Sequence, residues 1–191
     1  MSPGWVPTAR GFIVAVLLAF AVPAAAEISL VIPTNALVLA VKNGDHARVH
    51  ELLITGENPN RVDAQGKSVL VEAVVNGDNN MVHLLLGNGA RTDRRDRAGN
   101  SALFYAADAG FPDITGILLA AGADPNAGNR EGLTPLIAAS RRGHTHVVEL
   151  LLKWDADVTL TDYTGMSALM WAKRNRFTDI TNSLIQAGAI R

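Results

Sequence analysis

Apolar residues return along this chain in adjacent pairs at one fixed interval. Leu52-Leu53, Leu85-Leu86, Leu118-Leu119, Leu151-Leu152 and Leu184-Ile185 are each 33 residues apart. A leucine column runs ahead of them at the same interval through Leu37, Leu70, Leu103, Leu136 and Leu169. An alanine column follows it through Ala40, Ala73, Ala106, Ala139 and Ala172. Glycines punctuate the pattern before the first apolar segment (Gly66, Gly99, Gly132, Gly165), between the two segments (Gly44, Gly77, Gly110, Gly143) and after the second (Gly56, Gly89, Gly122, Gly188). Several independent columns at one period define a repeat, and each copy reads as turn, helix, tight turn, helix, loop. The first helix is short and rich in alanine, which allows close stacking of neighbouring copies. The second carries the paired leucines on its inward stripe.

Polar positions fit the same unit. Ser68, Ser101, Thr134 and Ser167 stand where a hydroxyl can cap the first helix. Pro135 follows Thr134 at the first helical position, where a missing N–H costs nothing. Asp63, Asp96 and Asp162 recur at the period and are expected to stabilise turns rather than to form an acid/base pair. The best copy runs from Gly122 to Leu152, with Gly122-Ala123-Asp124-Pro125-Asn126, Asn129 to Leu136 ending in Gly132-Leu133-Thr134-Pro135-Leu136, and Gly143-His144. These residues resemble the ankyrin repeat, over roughly Pro33 to the C-terminus. Periodicity alone establishes a repeated two-helix unit. The resemblance implies an all-α repeat solenoid of five helix-turn-helix units, about 33–60, 61–93, 94–126, 127–159 and 160–191, with β-hairpin fingers at one edge. It also implies recognition of a partner protein through the fingertips and the concave helix face, and a structural role for His144. The column Glu51, Leu84, Ile117, Leu150, Ser183 is polar only in the outer units, as the ends of a stacked array require.

Three residues leave the template. Asp155 stands where the other units end their second helix with glycine, and Arg176 stands in the inter-helix glycine column. Gly116 interrupts a second helix, at a cost of about 1 kcal/mol against alanine. These departures predict a looser C-terminal end.

The N-terminus follows another pattern. Arg10 precedes an unbroken apolar run from Gly11 to Val22, Pro23 ends it, and Ala24-Ala25-Ala26 before Glu27 fits a small-x-small cleavage site. The run would span ~18 Å as a helix, short of a ~30 Å hydrocarbon core. Residues 1–26 therefore read as a secretory signal peptide cut after Ala26, and residues 27–32 as a lead-in. An uncleaved anchor is the alternative. No twin-arginine pair precedes the apolar run and no Asn-x-Ser/Thr sequon occurs, which with the alanine-rich site points to a bacterial periplasmic or secreted protein, with no membrane attachment after cleavage.

Composition adds exclusions. Hydrophobic residues make up 48% of the chain but aromatics only 5%, so the core is aliphatic. Net charge is −1, against bulk attraction to nucleic acid or anionic lipid. Cysteine is absent, which removes disulfides, thiol nucleophiles and thiolate metal sites. No nucleophile elbow, phosphate loop or dinucleotide fingerprint is present, so no catalytic residues and no cofactor are expected. His46 and His50 share a helix face and leave a metal or haem carrier as an alternative, with exposed polar residues as the plainer account.

The arginines and aromatics are where a partner protein is expected to bind a chain that is monomeric on its own. Arg94, Arg95 and Arg97 crowd one finger, Arg130 and Glu131 another, and Arg141, Arg142 and Arg174 end first helices. Placed on the ankyrin plan they could form one arginine-lined surface across units three to five. Local pairing with Asp93, Asp96, Asp108 and Glu131 is the alternative, and the sequence leaves both open. Tyr105 and Trp171 share a first-helix column, and Tyr163 is at a fingertip. Tyr, Trp and Arg dominate interface hot spots. Asn100, Asp108, Leu133 and Met166 complete the expected contact set. Phe111 and Phe177 share the column of His144 and are expected to fill space. Small secreted bacterial proteins of the resembled family have been linked to catalase support in oxidative-stress defence, and others to neutralising a toxin as immunity proteins.

Overall fold

Every expected helix forms, and its start is set by the residue the repeat places there. The computed structural model describes residues 36–189; the expected signal peptide, its cleavage site and the lead-in lie outside the described residues. The helices are α1 (Ala36–Lys42), α2 (His46–Ile54), α3 (Val69–Val75), α4 (Asn79–Gly87), α5 (Ala102–Ala109), α6 (Pro112–Ala120), α7 (Pro135–Arg142), α8 (Thr145–Lys153), α9 (Ala168–Arg174) and α10 (Thr178–Gln186). The hydroxyls of Ser68, Ser101, Thr134 and Ser167 accept from the N–H groups of Val71, Phe104, Ile137 and Met170, giving α3, α5, α7 and α9 one cap each.

Consecutive helices pair, and the pairs stack. Odd-numbered helices pack on one another in one layer, and α4, α6, α8 and α10 in a second. The result is an all-α repeat solenoid. Leu37, Leu70, Leu103, Leu136 and Leu169 are all buried between the layers, and so are the first members of the leucine pairs. Each such side chain stabilises the fold by about 1.5–3 kcal/mol. Alanines 40, 73, 106, 139 and 172 are buried beside them, and their small size lets the first helices approach. The β-hairpins expected at the edge are reduced to single antiparallel bridges, Val62 to Ser68, Arg95 to Ser101 and Thr161 to Ser167.

The turn between paired helices is held in two ways. In the first two units Asp45 and Asp78 cap α2 and α4 through their side chains. In the next three the same position carries Phe111, His144 and Phe177, which make no such bond. Their rings instead lie over the inter-helix glycine of the preceding unit. A Cβ placed on Gly77, Gly110 or Gly143 would stand 3.3, 2.5 or 2.8 Å from the ring of Phe111, His144 or Phe177. The His144 ring is fixed further by Nε2 at 3.1 Å from the Asp108 carbonyl oxygen, which gives it the structural role expected of it.

The two non-glycine departures adopt the glycine conformation. Asp155 has φ 56° and Arg176 has φ 62°. At the helix-ending glycines 56, 89, 122 and 188 a Cβ would meet nothing within 4 Å, so a side chain in that column strains only the backbone. Arg176 tolerates its side chain because no described residue stacks a ring on it. Left-handed backbone costs an L-residue roughly 1–2 kcal/mol, partly offset by the entropy that glycine loses on folding. Arg176→Gly is therefore expected to raise the thermal unfolding midpoint by about 1–4 °C. A lower midpoint would mean that the Arg176 side chain makes a contact worth more than the strain.

Candidate partner-binding surface

The site is built on the finger carboxylates. At Asp63, Asp96 and Asp162 one carboxylate oxygen accepts the backbone N–H groups two and four residues on, closing the turn. Asn129 does the same with its amide oxygen. The second oxygen faces the first-helix residue nine positions later. The Tyr105 hydroxyl donates to Asp96 Oδ2 at 2.6 Å, and the Trp171 indole N–H donates to Asp162 Oδ2 at 2.8 Å. Asp63 Oδ2 takes Lys42 of the preceding unit at 3.1 Å. In the copy where the residue nine positions on is Ala138, the finger residue is the uncharged Asn129, whose amide donates to Asn100 at 2.9 Å.

These bonds set the electrostatics. Burial pushes the Asp162 carboxyl up, but the Thr164 hydroxyl, the Trp171 indole and the backbone N–H groups of Met166 and Thr164 outweigh it and hold the group below its ordinary value. Asp96 is held down in the same way, against burial, by Tyr105, the N–H groups of Asn100 and Ala98 and the Asn100 amide. Asp63 is held down against burial by Lys67 N–H, Lys42 and Gln65 N–H. Tyr105 is pushed up, by burial first and then by donation to Asp96. The three aspartate turns are therefore ionic, and Tyr105 and Trp171 are anchored to two of them.

Fingertips stack one on the next. Arg130 donates its backbone N–H to Ala98 O at 3.0 Å and lies over Gly99; Tyr163 donates to Glu131 O at 2.9 Å and lies over Gly132. A Cβ on Gly132 would sit 2.9 Å from Tyr163 Cδ1, so that glycine is needed for the close approach as well as for its φ of 77°. The Tyr163 side chain is left 80% exposed. Between these fingertips and α7–α9 lies an open concavity of about 420 Å³, lined by Arg130, Glu131, Leu133, Arg141, Asp162, Tyr163, Thr164 and Trp171. The guanidinium carbons of Arg141 and Arg174 lie 5.8 and 5.2 Å from the centre of the Trp171 ring, within cation–π range.

The structure thus brings together Arg130, Glu131, Arg141, Tyr163, Trp171 and Arg174, and it places the other expected contact residues differently. Leu133 is only 4% exposed: it follows the finger into the apolar core and forms wall, not contact surface. Tyr105 is half-buried, with its hydroxyl engaged by Asp96 and Lys67 Nζ 5.2 Å from its ring centre, so it is less free than expected. Asp108 is clasped by Arg142 at 3.0 and 3.1 Å and more loosely by Arg141 at 3.5 Å, which ties successive units together. Arg95 donates to Gly128 O at 2.7 Å, again between units. Asn100 is held by Asn129, and Met166 is half-buried with its backbone paired to Asp162. Arg97 lies along Gly66. Arg94 and Arg95 border a separate shallow depression with Arg91 and Asp93. The single arginine-lined surface resolves into two patches, because several arginines are engaged in stacking the units.

Asp162, expected only to stabilise a turn, and Thr164, which the sequence did not single out, also line the concavity. The signal was the aromatic donor nine residues after the aspartate. Elsewhere, His46 Nε2 is 2.8 Å from Asp78 Oδ2, which engages the histidine in holding the first two units together. Among the described residues no group of three or more His, Asp or Glu side chains could hold a metal ion, and no helix is long and apolar enough to cross a membrane. A family model for ankyrin repeats (3 copies) matches residues 37–129 and 113–190. No curated protein matches the chain.

Proposed function

The chain belongs to the ankyrin-repeat family, whose repeats form protein–protein interaction modules, and from that premise we propose that it binds a partner protein through the concavity between its last two fingers and α7–α9. Binding, not catalysis, is its activity, and it acts in the periplasm after removal of residues 1–26. The observation that carries the reading is the Tyr163–Trp171 pair: one ring exposed, one anchored, with guanidiniums beside them. Large aromatic and arginine side chains on a rigid frame lose little freedom on docking, the condition under which a small surface binds well.

Charge reversal at Arg95, Arg141 or Arg142 would be a poor test, since these side chains also join units. Tyr163→Ser and Arg174→Ser make cleaner variants, for both side chains face solvent. The full-length chain, tagged at its C-terminus, is used to capture proteins from a periplasmic fraction. Wild type is expected to retain a partner that both variants lose while keeping the wild-type unfolding midpoint. Identical retention by all three would remove this surface from consideration. N-terminal sequencing of the captured bait checks export: a first residue of Glu27 supports it, and Met1 contradicts it.

A further inference from the structure

Five of the eleven arginines among the described residues have a carboxylate within ion-pairing distance. Arg48, Arg61, Arg91 and Arg142 each lie within 3.0 Å of one. Among the described residues Arg94, Arg95, Arg97, Arg130, Arg174 and Arg176 have no ion-pair partner, and Arg141 reaches Asp108 only at 3.5 Å, behind the tighter clasp of Arg142; of these, Arg130, Arg141 and Arg174 gather around the concavity. Arg141 and Arg174 flank the same indole ring. A guanidinium laid against an aromatic ring keeps its in-plane N–H donors free for a planar acceptor. The Arg141 side chain is only 30% exposed, so its charge is less screened than that of a surface arginine.

The concavity's two carboxylates, Asp162 and Glu131, keep their negative charge but make no hydrogen bond or ion pair to these guanidiniums. Asp162 is saturated by Trp171, Thr164 and two backbone donors. Glu131 is exposed on the fingertip rim, next to Arg130. The concavity is therefore polarised: its helix side presents Arg174 and the loosely paired Arg141, its floor an anchored indole, and its fingertip side the exposed Tyr163 ring and an acid.

We infer that the concavity receives an acidic segment of its partner protein, with an Asp or Glu carboxylate seated on the free N–H donors of Arg141 and Arg174 and a neighbouring apolar or aromatic side chain laid on Tyr163 beside the indole. This rests on the partner-binding reading above and adds the chemistry of the occupant. The Glu131 rim sets the orientation, because a carboxylate docked toward the fingertips would meet it. Charge complementarity of this kind makes binding salt-sensitive and selects against basic segments.

A random peptide library displayed on phage tests the inference without knowledge of the natural partner. It is panned in parallel on wild type, Arg174→Gln and Tyr163→Ser chains, with far-UV circular dichroism as a check of folding. Wild type should enrich peptides carrying Asp or Glu beside Leu, Phe, Tyr or Trp. Arg174→Gln should lose the acidic preference while keeping the apolar one. The best synthetic peptide should bind Arg174→Gln about tenfold more weakly, and Glu131→Gln more tightly, than wild type. Enrichment of apolar peptides without acids, equal on wild type and Arg174→Gln, would overturn the acidic occupant and leave the binding surface standing. Enrichment that is the same on Tyr163→Ser as on wild type, or none at all, would overturn both.

Discussion

Replacing Gly143 by alanine is expected to destabilise the fold by about 2–4 kcal/mol, whereas the same change at Gly122 costs about 1 kcal/mol. Both glycines have left-handed backbones, with φ 87° and 84°. A methyl group at Gly122 meets nothing within 4 Å, so alanine there suffers only the conformational cost. At Gly143 the methyl carbon would stand 2.8 Å from Phe177 Cζ and 2.9 Å from Cε1. Phe177 leads into α10, so displacement of its ring is expected to strain the packing of the last helix pair against α7 and α8. Phe177→Ala costs stability alone but should restore part of the loss when combined with Gly143→Ala, since only the clash couples the two sites. Urea unfolding of the four chains measures this. Equal losses at Gly122 and Gly143 would mean that the ring moves aside freely. Loosening the last unit also displaces Trp171 and Arg174, so Gly143→Ala should weaken partner binding though it touches no partner.

The same column logic explains what the chain's sequence disclosed and what it withheld. The helix pairs, the hydroxyl caps and the left-handed turns at Asp155 and Arg176 were each legible from one column, because each depends on one residue and its place in the period. The rings over Gly77, Gly110 and Gly143 were half legible: Phe111, His144 and Phe177 read as space-filling, but the space they fill lies in the preceding unit. Leu133 was misread because its column otherwise holds Lys67, Asn100 and Met166, and nothing local shows that the leucine turns into the core. The arginines were ambiguous for a physical reason. A long side chain can reach several acids, and only the geometry decides that Arg142 takes Asp108 while Arg174 takes the face of an indole. The link between Asp162 and Trp171 needs two columns compared: carboxylate with Tyr105 or Trp171, amide with Ala138.

That comparison predicts the behaviour of Asp162→Asn. The Asn129 copy shows that an amide oxygen can close the turn. Asparagine at 162 should therefore keep the finger but replace the charged acceptor of the Trp171 indole with a weaker neutral one, or with an opposing N–H. The expected loss is about 1–3 kcal/mol at neutral pH, the range for hydrogen bonds to charged groups in a buried setting. Trp171→Phe removes the donor, and Asp162→Asn should cost less in that background than alone. The pH dependence separates charge from geometry. Asp162 has its carboxyl held below the ordinary value, so its stabilisation is fully present above the unfolded value of about 3.9 and is lost as pH falls through the lower folded value. Asp63 and Asp96 are shifted the same way and should give the wild type a steep acid loss. Asp162→Asn removes one of these contributions. Its deficit against wild type should thus be largest near neutrality and shrink in acid as Asp162 itself is protonated. Denaturant unfolding at pH about 7 and about 3, followed by tryptophan fluorescence, reads the difference. A deficit unchanged between the two would locate the effect in turn geometry. It would then say nothing for an ionic anchor beneath Trp171.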